Sequence, residues 1–152
     1  MVEQHGFSDA EWELLLGVPF AVFFVVAYAD GTLSPAERSA FASIAADVSA
    51  QADRPQDALV GDVMGQISRE FDEIMGRLDL HMAEGVPWVL SAGRTLLDGM
   101  ADGAQALAFK DTMISMAQTV AEAWPRFGRR TTAEEQRSID FVRDLLGVPA
   151  AP

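Results

Sequence analysis

The sequence predicts an all-α fold, a single compact bundle of about seven helices, and three observations predict it. Apolar residues recur with a period near 3.6: Ile67, Phe71, Ile74, Leu78 and Met82 mark one face, and Phe109, Met113, Met116, Val120 and Trp124 another. No stretch alternates apolar and polar residues over the length of a strand. Three times a hydroxyl is followed three residues later by a glutamate: Ser8 with Glu11, Ser34 with Glu37, and Thr132 with Glu135. This is the capping box, in which the hydroxyl accepts from the N3 amide while the N3 carboxylate accepts from the N-cap amide.

The elements follow in order from these signals. The first helix, 8–17, opens at the Ser8 box with a hydrophobic staple between Phe7 and Trp12, and Gly17 is its expected stop. Pro19 opens the second, 19–30, which closes at Asp30-Gly31. The run Leu14 to Ala29 carries no charge, but a membrane span needs about 20 apolar residues, and this run is shorter and interrupted by Gly17-Val18-Pro19, so a core position is expected. The third helix, 34–52, starts at Ser34 with Pro35 at N1, where a missing amide hydrogen is harmless. Pro55 introduces 56–83, Gly85 and Pro87 separate it from 86–100, and 103–124 and 132–147 complete the set, the last closed by Gly147. Residues 1–152 form one domain, with 1–6 and 148–152 expected to fray.

Charge narrows the function classes. Among 152 residues, 23 are acidic and 11 basic, for a net charge of −12, a field that repels nucleic acid and anionic lipid and favours cations or basic partners. There is no cysteine, hence no disulfide framework, thiolate zinc site or cysteine nucleophile. The start, "MVEQHGFSDAEWE", lacks the positive region of a secretory signal, and a cytoplasmic protein is expected.

The segment "AYADGTLSPAERSAF", 27–41, resembles half of a calcium loop. With Gly31 at the sixth position of an EF-hand loop, Asp30 takes the fifth, Ser34 the ninth and Glu37 the twelfth. Positions one and three become Val26 and Tyr28, which carry no carboxylate, so one loop alone does not supply the roughly 6 to 8 oxygens that calcium needs. A second, degenerate copy lies near the C-terminus: 26–41 and 120–139 share Val-Ala-x-Ala, a turn, and a hydroxyl-capped helix with Glu at N3. In that copy "WPRFGRR" replaces Asp-Gly, and Glu122, Glu134 and Glu135 are the acidic candidates.

These residues resemble the TerB-like domains, all-helical bacterial modules that include the tellurite-resistance protein TerB and the N-terminal region of DjlA-type co-chaperones. The resemblance rests on Ala29-Asp30-Gly31, Leu33 and Glu37, with "FVRDLLGV" at 141–148, and extends over nearly the whole chain. It implies two pseudo-repeated helix-turn-helix halves that bring acidic residues together, with metal binding in some members, and a role in stress response or in assembling protein partners near a membrane. Carried over by position, Asp30 and Glu37 sit on the motif and Glu135 is the repeat equivalent of Glu37. The chain departs from the pattern where Arg126, Arg129 and Arg130 crowd the second turn, since arginine forks there would pair with Asp30 or Glu37 in place of a metal.

Two readings follow. One is a non-enzymatic interaction or scaffold module, holding a protein partner by an acidic or Met-rich surface; the set Met64, Met75, Met82, Met100, Met113 and Met116 could line a groove for an apolar partner helix, although such a stripe is more often ordinary core. A membrane protein and a second copy of the chain are both candidate partners. The other is a divalent-cation module using Asp30, Glu37 and a carboxylate of the C-terminal half, Glu122 or Glu135, with calcium or magnesium as the ion because every donor is oxygen. Catalysis has no motif: His5 falls in an N-terminus expected to be mobile, His81 stands without the Glu-x-x-His order of di-iron bundles, and Lys110 is the only lysine.

Overall fold

The computed structural model describes residues 5–27, 35–123 and 132–148, and of residues 27, 79–84, 122, 123, 132, 134 and 135 only the backbone. The described chain is all-α: α1 (Asp9–Ala27), α2 (Pro35–Gln51), a 3-10 turn (Pro55–Asp57), α3 (Ala58–Arg69), α4 (Phe71–Asp98), α5 (Gly103–Ala123) and α6 (Thr132–Leu146).

Helix α1 is the axle of the bundle. It packs on α3, α4, α5 and α6, and from Leu15 to Phe24 every residue is buried. A helix apolar on all sides has no solvent face to present and must be enclosed. That enclosure explains why α1 runs unbroken through Gly17 and Pro19, where a stop and a new start are expected from the sequence. Gly17 lies against α4, where an added Cβ would stand 3.5 Å from Leu78 and Val89, and the buried Pro19 costs α1 the hydrogen bond to the Leu15 carbonyl, a loss that packing in the core on either side outweighs. Among the described residues no helix is long and apolar enough to cross a membrane.

The capping box at the start of α1 forms as expected: the Ser8 amide donates to Glu11 Oε1 at 2.9 Å, and the Glu11 amide to Ser8 Oγ at 3.2 Å. Phe7 and Trp12 both join the core cluster. His5, expected in a mobile N-terminus, makes defined contacts instead. Its ring stacks on Trp12 with centroids 6.1 Å apart, and its Nε2 lies 2.7 Å from Asp62 Oδ2, while Trp12 Nε1 donates to Gln66. Two α3 side chains thus anchor this arm.

Helix α2 begins at Pro35, the N1 position assigned to it, and docks by two devices. The first is Phe41, which stands 4.8 Å from both Phe20 and Phe23 of α1 and 5.3 Å from Phe71 of α4, edge-on to the last. The second is a close seam with α3. A Cβ on Gly61 would come within 2.7 Å of the Ala52 Cβ, and one on Gly65 within 2.8 Å of Ser49 Oγ, so the two chains approach more closely than any larger residue allows.

The expected helix 56–83 is two helices. The chain leaves helical geometry at Glu70 (φ −124°, ψ 32°), which separates α3 from α4. No Gly or Pro marks this bend. The break expected between Gly85 and Pro87 is present as a kink inside α4, with Gly85 alone non-helical (φ −137°, ψ 23°) and Pro87 in the turn that follows. At the far end, Gly147 (φ 74°) closes α6 with a Schellman motif: the Val148 amide donates to the Arg143 carbonyl at 2.9 Å and the Gly147 amide to that of Asp144 at 3.3 Å. The two turns that would carry the pseudo-repeat, around Asp30 and "WPRFGRR", lie outside the described residues.

Candidate functional site

Most of the predicted cation site lies outside the described residues. That is so for Asp30 and for the side chains of Glu122, Glu134 and Glu135; Arg126, Arg129 and Arg130 and the His81 side chain also lie outside them. Glu37 is described, half-buried in the first turn of α2, where a carboxylate suits the helix dipole. Among the described residues no group of three His, Asp or Glu side chains is gathered closely enough to hold a metal ion.

Of the two readings of the Met-rich set, ordinary core holds for the described residues. Met64, Met75, Met113 and Met116 are buried and Met100 is half-buried against the core, while Met82 falls outside the described side chains. The described ones are packing, although Met116 edges one concave surface and Met100 another.

That surface is a groove of about 570 Å³ between α2 and α5, and the helix order explains its shape. Both α2 and α5 pack on α3 but make little contact with each other, so α3 and the 3-10 turn become a floor between two walls. Ile44 and Val48 line the α2 wall, Val60 the floor, and Leu107, Ala108 and Met116 the α5 wall. Leu107 is 55% exposed, one of three large apolar side chains so open to solvent among the described residues. Polar groups interleave: Asp111, Thr112 and Ser115 on α5, and Gln51 on α2. Ligand clefts combine apolar walls with a few polar groups in this way, and among the described lining residues there is no histidine.

The rigidity of this groove comes from polar contacts at its base. Arg54 binds Asp57 through both its Nε (2.8 Å) and Nη2 (3.0 Å), closing the 3-10 turn that leads into α3. The Leu59 amide, an orphan donor at the start of α3, is satisfied from across the groove floor by Gln105 Oε1 at 3.0 Å. Gln105 is in turn held by Asp102, whose Oδ2 accepts its side-chain amide while Oδ1 caps the Ala104 and Gln105 amides of α5. One side chain thus fixes the relative height of α3 and α5.

Next to the groove, at the start of α5, lies a smaller cavity of about 220 Å³. Lys110 borders it with its side chain only 10% exposed, and its ammonium donates to Asp98 at 2.5 Å, with Arg94 on the same carboxylate at 3.3 Å. The charge of the single lysine is therefore spent on joining α4 to α5.

Three of these carboxylates titrate below their ordinary value. Hydrogen bonding from Arg54 lowers Asp57, that from Lys110 and then Arg94 lowers Asp98, and that from the Gln105 side chain and amide lowers Asp102. A depressed folded-state value means that the ionised form stabilises the fold above the unfolded value near ~4, and that this contribution disappears as pH falls through the folded values. Thermal unfolding followed by circular dichroism is expected to give a flat Tm from pH 7 to about 5 and a decline below about 4, with Asp98→Asn showing a shallower decline than the parent. An Asp98→Asn profile parallel to that of the parent would remove Asp98 from this account.

The groove residues were not singled out by the sequence, although a signal was present. Ala104, Ala108, Thr112 and Ser115 repeat at three- to four-residue spacing opposite the Phe109 and Met113 face, and Leu107 interrupts the solvent side with an apolar residue. Comparison with known proteins finds no matching family model, no matching curated protein and no matching solved structure.

Proposed function

We propose that the protein is a non-enzymatic helical interaction module, TerB-like in kind and linked to stress response, that holds a protein partner in the groove between α2 and α5. The observation that carries this reading is the groove itself: Ile44, Val48, Val60 and Met116 set among polar side chains, with Leu107 held open to solvent on a helix. An apolar side chain left exposed beside a preformed concavity gains free energy only when something covers it. The −12 charge favours a partner that is not nucleic acid.

The test is site-specific photo-crosslinking in cells, with a photoreactive residue at Leu107 and, as control, at the exposed Arg137 of α6. A discrete crosslinked protein is expected from position 107 and not from 137. Identical products from the two positions, or none from 107, would sink the reading.

A further inference from the structure

We infer that the groove takes a basic amphipathic helix of about four turns, supplied by another protein; this rests on the interaction-module reading above and names the chemistry of its partner. The first argument is main-chain supply. The α2 and α5 walls are helices whose amides and carbonyls are bonded within themselves, so the walls have no strand edge to lend to an extended peptide. A partner that satisfies its own backbone, a helix, is the occupant that does not bury unpaired polar groups.

Length and contour agree. On α5 the lining runs from Ala104 to Thr119, which at 1.5 Å per residue is roughly 22 Å, about four helical turns. The small side chains of Ala104, Ala108, Thr112 and Ser115 leave this wall low, and a helix laid along it approaches to the roughly 8–10 Å axial separation of packed helices. Ile44 and Val48 on the opposite wall and Leu107 at the rim supply apolar contacts for positions repeating at three and four residues.

Charge selects the sign. Arg54 is the one cation among the described lining residues, and it is neutralised by Asp57, with Asp53 close enough to act on it as well. Asp111 lines the groove and makes no ion pair with any described residue, and Asp47, one position before Val48, is exposed beside the α2 wall. An apolar seam flanked by uncompensated carboxylates complements a helix with leucines on one face and lysines or arginines at its margins. A second copy of this chain would bring acidic rims together, and an acidic or neutral helix would leave Asp111 unanswered.

The experiment uses the full chain and two synthetic 16-residue helical peptides of leucine and lysine, or of the same pattern with glutamate in place of lysine. Binding is read by fluorescence anisotropy at low and at physiological salt, and the contact surface by amide chemical-shift changes. The lysine peptide is expected to bind with shifts confined to 44–57 and 104–119; Leu107→Ser and Asp111→Lys should each weaken it, the latter by about tenfold as one favourable charge becomes repulsive, while Asp140→Lys on α6 leaves it unchanged. Equal binding of the glutamate peptide in the groove would overturn the charge assignment while leaving the interaction module standing. Equal weakening by Asp140→Lys, or shifts spread over the whole acidic surface, would reduce the binding to unspecific attraction and overturn the inference. Concentration-dependent shifts of the groove without peptide would make a second copy the occupant, and no groove shifts with either peptide would count against both readings.

Discussion

Replacing Phe41 with alanine is expected to lower the unfolding free energy by about 3–5 kcal/mol, the largest effect of any single truncation in α2. Only Phe41 and Ala45 of that helix are fully buried, and Phe41 is the point where three other aromatic rings, two from α1 and one from α4, converge. Truncation removes the ring contacts and leaves a cavity that the neighbouring rings, held by their own helices, fill only in part. Because α2 has little else to anchor it apart from the α3 seam, amide exchange should rise along α2 before it rises elsewhere. Urea unfolding gives the free energy, with Phe41→Leu as a milder companion; a loss of under about 1 kcal/mol for Phe41→Ala would mean that the aromatic convergence does not hold α2.

Gly61→Val tests the other attachment. The valine Cβ alone would stand 2.7 Å from that of Ala52, the residue just beyond the end of α2, and each Cβ is bonded directly to the main chain, so neither can swing aside. The helices must separate, and a destabilisation of about 2–3 kcal/mol is expected from overpacking, measured by urea unfolding. Ala52→Gly in the same chain should restore part of the loss, giving a coupling energy between two residues in contact. A Gly61→Val protein as stable as the parent, or a double variant with strictly additive effects, would refute close approach as the reason for glycine here.

These two positions also show what was legible in the sequence. The all-α class, the capping box at Ser8, the start at Pro35, the kink at Gly85 and the stop at Gly147 were readable because each depends on neighbours within about four residues. The errors came where distant residues decide. Gly17 and Pro19 are local breakers overridden by burial on every side of α1, and the bend at Glu70 has no local breaker to announce it. The sequence around His5 does not announce its contacts, because Asp62 comes beside it only after α3 folds back on α1. The groove was illegible for the same reason. It depends on α2 and α5 sharing α3 as a floor without packing on each other, a relation between helices far apart in the chain. The cation half-site at Asp30 and Glu37 could be proposed from spacing alone, but its partners would have to come from the other half of the fold.

The burial of α1 on all sides has a consequence for how the chain is made. Its apolar run is synthesised before any of α3, α4, α5 and α6, the helices that enclose it. About 70 residues separate the end of α1 from the end of α4, several seconds of synthesis at about 5–20 residues per second. During that interval only Phe41 of α2 and helix α3 are there to cover the most apolar segment of the protein, and it is then that the nascent chain most needs shielding from its neighbours.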